Sequence, residues 1–316
     1  MELLFVDWLG KPIWMWSSFL AVVGLLMAFD LGILHKDTNK EIGIRESLLM
    51  TGFYIALALL FGAWVWFSLG DTAGINYLTG FVIEKSLSMD NVFVIAMIFT
   101  YLGIPRQYQY RVLFWGILAV IVLRGLMIGV GAALVNNFSW VLYIFAAFLI
   151  YTGIKMMLEA NSHYDVANNP LLKFIKKHFR VTDKLHGQDF LVRIDKKLWL
   201  TPMAVALVLV NIADIIFAVD SVPAIFAITT DTYIVFISNI FAILGLRALY
   251  FALAAMVDKF TYLKYALAAV LVFIGSKIFV ADMLGLAKIP PTLSLGITLA
   301  IIASGVVYSL YKTRQV

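Results

Sequence analysis

Along almost the whole chain, apolar stretches of about 20 residues alternate with short polar breaks. That is the length a helix rising 1.5 Å per residue needs to cross a hydrocarbon core about 30 Å thick. The pattern predicts nine spans, over residues 13–34, 47–69, 78–102, 112–134, 138–158, 200–228, 233–257, 265–281 and 292–311. Pro105, the Asn136-Asn137 pair, Thr229-Thr230-Asp231 and Pro290-Pro291 punctuate them. The expected fold is therefore all-α and polytopic, with little room for a separate soluble domain. The first span reads as a retained helix and not a cleaved signal, because its leader carries Glu2 and Asp7 against Lys11. In the one long connection, 159–198, Pro170 to Arg180 segregates apolar and basic positions as a short amphipathic helix does at an anionic lipid surface.

Composition agrees: 63% of the 316 residues are apolar and 14% charged, outside the range of a soluble domain. Charge placement sets the expected orientation. With the N-terminus outside, the cytoplasmic segments hold 17 Lys or Arg and the outer segments only Lys11 and Lys288. The net charge of +5 follows from that bias and calls for no nucleic acid partner. Cysteine is absent, and His35, His163, His178 and His186 all fall in connections. A metal held within the spans would then meet oxygen ligands, which favours Mn²⁺, Mg²⁺ or Ca²⁺ over Zn²⁺ or Cu⁺.

Two segments carry the candidate chemistry. Glu84-Lys-Ser-Leu-Ser-Met-Asp90-Asn91-Val92 and Asp214-Ile-Ile-Phe-Ala-Val-Asp220-Ser221-Val222 each place two carboxylates six residues apart, followed by a small polar residue and valine. A carboxylate at mid-bilayer depth costs roughly 2.5 to 3.5 kcal/mol, so four of them require a compensating cation. The segments align at an offset of 130, and the likeness runs on through Arg124 and Arg247 and through Gly-x-Lys at Lys155 and Lys277. On the expected topology the two units, 78–158 and 199–281, insert in opposite senses, as in the inverted repeats of secondary transporters whose site lies between the halves. Residues 1–77 and 282–316 would then pack at the periphery. Along each acidic helix Glu84 shares a face with Asn91, and Asp214 with Ser221 and Asn211, while Asp90 and Asp220 turn about 120° away. Pro223 removes a backbone donor just after Asp220 and is expected to weaken the helix there.

A plainer account of the four acids is ion pairing, since Lys85, Arg124, Lys155, Arg247 and Lys277 also lie within spans. Arg124 and Arg247, near mid-span, are expected to pair with the acids or gate a path, and Lys155 and Lys277 to do the same or reach the interface. The pair Gly125 and Gly129 predicts close helix packing. No enzyme is expected: neither acid pair has a Gly-x-Gly-Asp setting, and no Ser/His pair falls within the spans.

Together, E-K-S-L-S-M-D-N-V, D-I-I-F-A-V-D-S-V-P-A and S-N-I-F-A-I-L-G-L-R-A-L-Y resemble the TerC family of bacterial membrane proteins, including its Alx-like members, over roughly residues 15 to 312. The resemblance implies an inner-membrane protein related to LysE-type exporters, with links to Mn²⁺ export and to tellurium and oxidative stress. It also implies a metal site on Glu84, Asp90, Asp214 and Asp220. Similar proteins often carry an acid where this chain has Asn211, which leaves a neutral amide there. The expectation is a secondary transporter exporting a divalent cation, Mn²⁺ first and Ca²⁺ or Mg²⁺ next, on those acids with Asn91, Asn211 and Ser221, coupled to protons. The cation is cargo, and no resident cofactor is expected. The competing expectation is a membrane partner or assembly factor in metal or tellurite stress that moves nothing.

Overall fold

The structure is a computed structural model. It describes residues 6–32, 43–158, 166, 169–254, 262–285 and 289–313, with the side chains of 30–32, 90 and 313 outside that description. The chain opens on a small antiparallel hairpin, β1 (Asp7–Trp8) and β2 (Lys11–Pro12). Its turn residues Leu9 and Gly10 both take positive φ, the geometry a two-residue hairpin demands. Five helices follow: α1 (Ile13–Gly32), α2 (Ile44–Leu69), α3 (Asp71–Tyr101), α4 (Arg106–Asn137) and α5 (Val141–Leu158). The long connection then folds as α6 (Pro170–His178) and a second hairpin, β3 (Leu191–Ile194) with β4 (Lys197–Leu200). Last come α7 (Pro202–Phe226), α8 (Thr232–Leu244), α9 (Leu246–Leu253), α10 (Leu263–Met283) and α11 (Pro291–Thr313).

Helix thus occurs at every predicted span, with three differences of physical origin. The seventh span is two helices, α8 and α9, bent by 41° at Gly245. The third begins seven residues early, at Asp71, because Gly70 at φ 91° ends α2 and lets α3 start directly. And α7 runs unbroken to Phe226: Pro223 lies within it, lacking the N–H that would bond the Val219 carbonyl, while its own carbonyl accepts from Ala227 and the helix continues. Length and apolarity alone qualify six helices to cross a membrane, or seven with the bent pair as one, which makes the protein an all-α polytopic membrane protein. The described apolar run of α1, Ile13–Phe29, is shorter than these six. The long α3 carries Asp71, Glu84, Lys85 and Asp90 and is too polar to pass on composition.

The exterior is apolar, as a bilayer requires: Leu25, Leu60, Phe67, Leu158 and Val307 are all largely exposed. Inside, α7 is the most buried of the candidate spans, and α4, α3 and α8 surround it. The three tightest long-range pairings are α5 with α10, α4 with α7, and α3 with α8. Glycine explains the first. A Cβ on Gly275 would lie 2.5 Å from the Ala146 carbonyl, and one on Gly153 would lie 2.8 Å from the Ala268 carbonyl, so neither backbone could approach so closely with a side chain there. The expected close packing at Gly125 and Gly129 is not found: Gly129 has nothing within 4 Å.

The ends of the helices sort into two sets. The starts of α3, α5 and α11 and the ends of α7 and α10 share one cavity. Lys11 pairs with Asp231 at 3.1 Å and ties the N-terminal hairpin to the α7–α8 turn. At the opposite end, Tyr101 and Leu102 of α3 meet Lys176, Val181 and Pro202. There Asn169 caps α6, accepting from the Leu171 and Leu172 amides at 2.8 and 3.4 Å. Leu172 and Ile175 pack into a core with Val205 and Leu209 of α7, while Lys173, Phe174, Lys177 and Phe179 face outward.

Candidate functional site

Four helices bring their polar residues to one buried point. Arg124 of α4 is 1% exposed, the largest fully buried side chain among the described residues. Its guanidinium forks onto Asp214 of α7, with Nε donating to Oδ2 and Nη2 to Oδ1, both at 3.0 Å. The third nitrogen, Nη1, donates to Glu84 Oε1 of α3 at 2.6 Å, and to Ser221 Oγ and Asn239 Oδ1, each at 2.8 Å. Asn91 Nδ2 closes the ring by donating to Asp214 Oδ1 at 3.2 Å. A planar fork with five N–H donors is the side chain that can serve so many acceptors at once. Removing charges from water costs several kcal/mol each, and the paired geometry offsets that cost.

The pairing is incomplete in charge and in hydrogen bonds. One arginine serves two carboxylates, so with both ionised the cluster keeps one net negative charge. Glu84 Oε2 and Asn91 Oδ1 are buried and have no hydrogen-bond partner among the described residues. Both residues line a cavity of about 60 Å³, together with Arg124, Asp220 and Ser221. A space of this size is large enough to hold water. Beside Asp214 lies a second cavity, about 20 Å³, bounded by Gly116 and Val120 of α4. Asn91 and Phe217 line both cavities and so stand between them.

Apolar layers flank the site along the helices. Ile83, Ala224, Ile228 and Ile274 are buried together on the side toward the shared end cavity. Val92, Ile95, Leu113, Leu209 and Leu246 are buried together on the other side.

The remaining predicted residues take separate places. Asp220, on the cavity wall and half-buried, faces Thr152 and Lys155 of α5. Asn211 turns back on its own helix, its Nδ2 donating to the Leu207 carbonyl at 2.7 Å, with Oδ1 buried and unpartnered among the described residues. Asp90 lies in α3, and its side chain is outside the described residues. Arg247 sits over the ring of Tyr110 at 4.3 Å. Lys277 donates to Ser294 of α11 at 3.3 Å, at the shared end cavity and away from the cluster. Lys85 reaches the broken helix: its Nζ donates to the Ala242 carbonyl at 3.0 Å, and a Cβ on Gly245 would lie 2.9 Å from it.

Sequence reasoning missed Asn239 and Phe217. Asn239 had a signal, being a lone amide inside the apolar run Tyr233 to Leu244, aligned with Gly116 in the other unit. Phe217 had none, because a phenylalanine between two acids reads as ordinary packing.

Among known proteins, the family model for the integral membrane protein TerC family matches residues 69–316. An uncharacterized membrane protein of Rickettsia bellii is 45% identical over 301 residues, covering 95% of this chain and 98% of that protein. A second, from Myxococcus xanthus, is 44% identical over 306 residues, 97% of this chain and 94% of its own. A protein of Escherichia coli named putative membrane-bound redox modulator Alx is 42% identical over 301 residues, 93% of this chain and 92% of that one. No solved structure matches the chain.

Proposed function

We propose that this chain, which belongs to the TerC family of integral membrane proteins, is a secondary transporter that exports a divalent metal cation, Mn²⁺ before Ca²⁺ or Mg²⁺. Its proposed activity is transport, with no chemical reaction. The observation that carries this reading is the pair of unpartnered buried oxygens, Glu84 Oε2 and Asn91 Oδ1, on a cavity wall that also holds Asp220 and Ser221. Natural proteins rarely leave buried acceptors unmet, and a donor set made only of oxygen suits a hard or borderline cation. Among the described residues no three His, Asp or Glu side chains gather closely enough to hold a metal by themselves. The amide of Asn91 and the hydroxyl of Ser221 are therefore part of the proposed ligand set.

Arg124 supplies the resident countercharge. It occupies both oxygens of Asp214 and one of Glu84, which holds those side chains in place without cargo. A cation entering the cavity meets the free oxygen of Glu84 and takes over part of that neutralisation. On release, protons replace the metal on the carboxylates, coupling export to proton entry. Two apolar layers, one on each side, are what alternating access requires.

Helix pairing supports an inverted repeat. If α3 corresponds to α7, and α4 to the α8–α9 pair, then the packing of α3 on α8 and of α4 on α7 are the same contact seen twice, and α5 on α10 maps onto itself. We place the end bearing α6 and β3–β4 in the cytoplasm of a bacterial inner membrane, by the excess of Lys and Arg there. Anionic lipid is the proposed partner of the outward bases of α6.

In cells grown at high manganese, Glu84→Gln and Asp220→Asn at normal expression are expected to accumulate cytoplasmic manganese as a null strain does. Wild-type manganese levels in both variants would reject the reading. The name given to the Escherichia coli relative favours a second reading, a redox-related membrane partner. With no cysteine, such a role does not use this chain's own thiols. It predicts that both carboxylate variants keep full function, while deletion of 170–198 abolishes it.

A further inference from the structure

At the end of the bundle opposite α6 lies the largest described cavity, about 500 Å³. It is separated from the Arg124 cluster by the layer of Ile83, Ala224 and Ile274. The first turns of α3 and α11 open onto it through Thr72 and Ser294, and Lys277 reaches it from α10. A lysine and helix starts attract an oxyanion. Two acceptors share the same walls. Asn76 is 8% exposed, and its Oδ1 has no hydrogen-bond partner among the described residues. Asp282, exposed at the rim, accepts from the Tyr143 hydroxyl at 3.1 Å and retains lone pairs for another donor.

A simple anion would use Lys277 and be repelled by Asp282, and a simple cation would meet the reverse. We infer that this cavity binds a zwitterion, an oxyanion joined to an ammonium by a short linker, in the form of a phosphatidylethanolamine headgroup. Its phosphate lies on Lys277 and Ser294, and its ammonium on Asp282 and Asn76 Oδ1. Lys277 and Asp282 are five residues apart on α10, roughly 7.5 Å along its axis and about 140° around it, and both line the cavity, so a ligand carrying both charges can reach the two side chains. Asp282 is the nearer of the two to the helix end. In a bilayer the phosphate of this lipid also lies deeper than its ammonium. Leu142, Phe226, Ile278 and Ile289 give the cavity apolar walls for the first acyl carbons. The inference is independent of the metal site.

Native mass spectrometry of the full-length protein in detergent tests it, with short-chain phosphatidylethanolamine, phosphatidylglycerol of equal chain length, and soluble glycerophosphoethanolamine as probes. Phosphatidylethanolamine is expected to bind about tenfold more tightly than phosphatidylglycerol. Asp282→Asn, a change at an exposed position that leaves packing intact, is expected to erase that preference. Lys277→Met is expected to weaken both lipids about tenfold. Equal binding of the soluble headgroup and the lipid supports the zwitterion site with a free solute as its source. Equal or tighter binding of phosphatidylglycerol, no binding of any probe, or an unchanged preference in Asp282→Asn overturns it.

Discussion

Arg124 and Arg247 close matching apolar runs of the sequence, and the protein places them in unlike surroundings. Arg124 ends up at the centre of the molecule, bonded to Glu84, Asp214, Ser221 and Asn239. Arg247 ends up over the face of Tyr110. Helix continuity makes the difference. Unbroken α4 delivers Arg124 beside α7, whereas α8 stops at Leu244 and α9 sets off at 41°, carrying Arg247 toward the start of α4. Matching sequence therefore does not give matching surroundings: two acids, from α3 and α7, converge on Arg124. The free oxygen left on Glu84 is what the proposed cation would meet on entry.

The comparison breaks if the two arginines prove equivalent. Arg124→Gln strands two buried carboxylates and is expected to cost about 3 to 5 kcal/mol. Little folded protein should survive purification, as read by thermal unfolding in detergent. Arg247→Gln, which deletes the cation–π contact with Tyr110 worth about 1 to 2 kcal/mol, is expected to cost less than Arg124→Gln. Equal losses would remove the asymmetry. Asn239→Leu sharpens the contrast, since it deletes one acceptor of a charged donor and leaves the Asp214 fork intact. It is expected to cost about 1.5 to 3 kcal/mol in the same assay.

Packing offers a smaller test. Gly275→Ala drives a Cβ against the Ala146 carbonyl and is expected to cost about 1 to 3 kcal/mol. Gly129→Ala enters open space, so it should be neutral or, through helix propensity, stabilising by up to about 1 kcal/mol. If both melt alike, the α5–α10 contact is not the tight one.

Much of this was legible beforehand because burial in a membrane is written in long apolar runs. Each predicted span contains helix, and the acidic segments announced themselves as charges where charges are expensive. The face argument held for some of its residues: Glu84 and Asn91 point to one place, as do Asp214 and Ser221, and Asp220 turns to α5, whereas Asn211 turns back on its own helix and the Asp90 side chain lies outside the described residues. The break at Gly245 was not legible, because no proline marks it and the Lys85 ammonium that fills it comes from 160 residues earlier in the chain. The expected weakening at Pro223 is not a break, for α7 continues through it to Phe226. Both hairpins escaped notice, since Leu9-Gly10 and Asp195-Lys196 lack the Asn-Gly signature of such turns. The division of the acids between arginine and cavity depends on three-dimensional register, which no spacing rule supplies.

Radiolabelled Mn²⁺ flux in proteoliposomes is the most direct test of the claim that Glu84, Asn91 and Asp220 form a passage for a divalent cation. Wild-type protein is expected to carry manganese well above the rate of protein-free vesicles, and Glu84→Gln with Asp220→Asn to return flux to that background while the protein remains folded. Flux through the folded double variant at the wild-type rate would contradict the account, as would wild-type flux no greater than background.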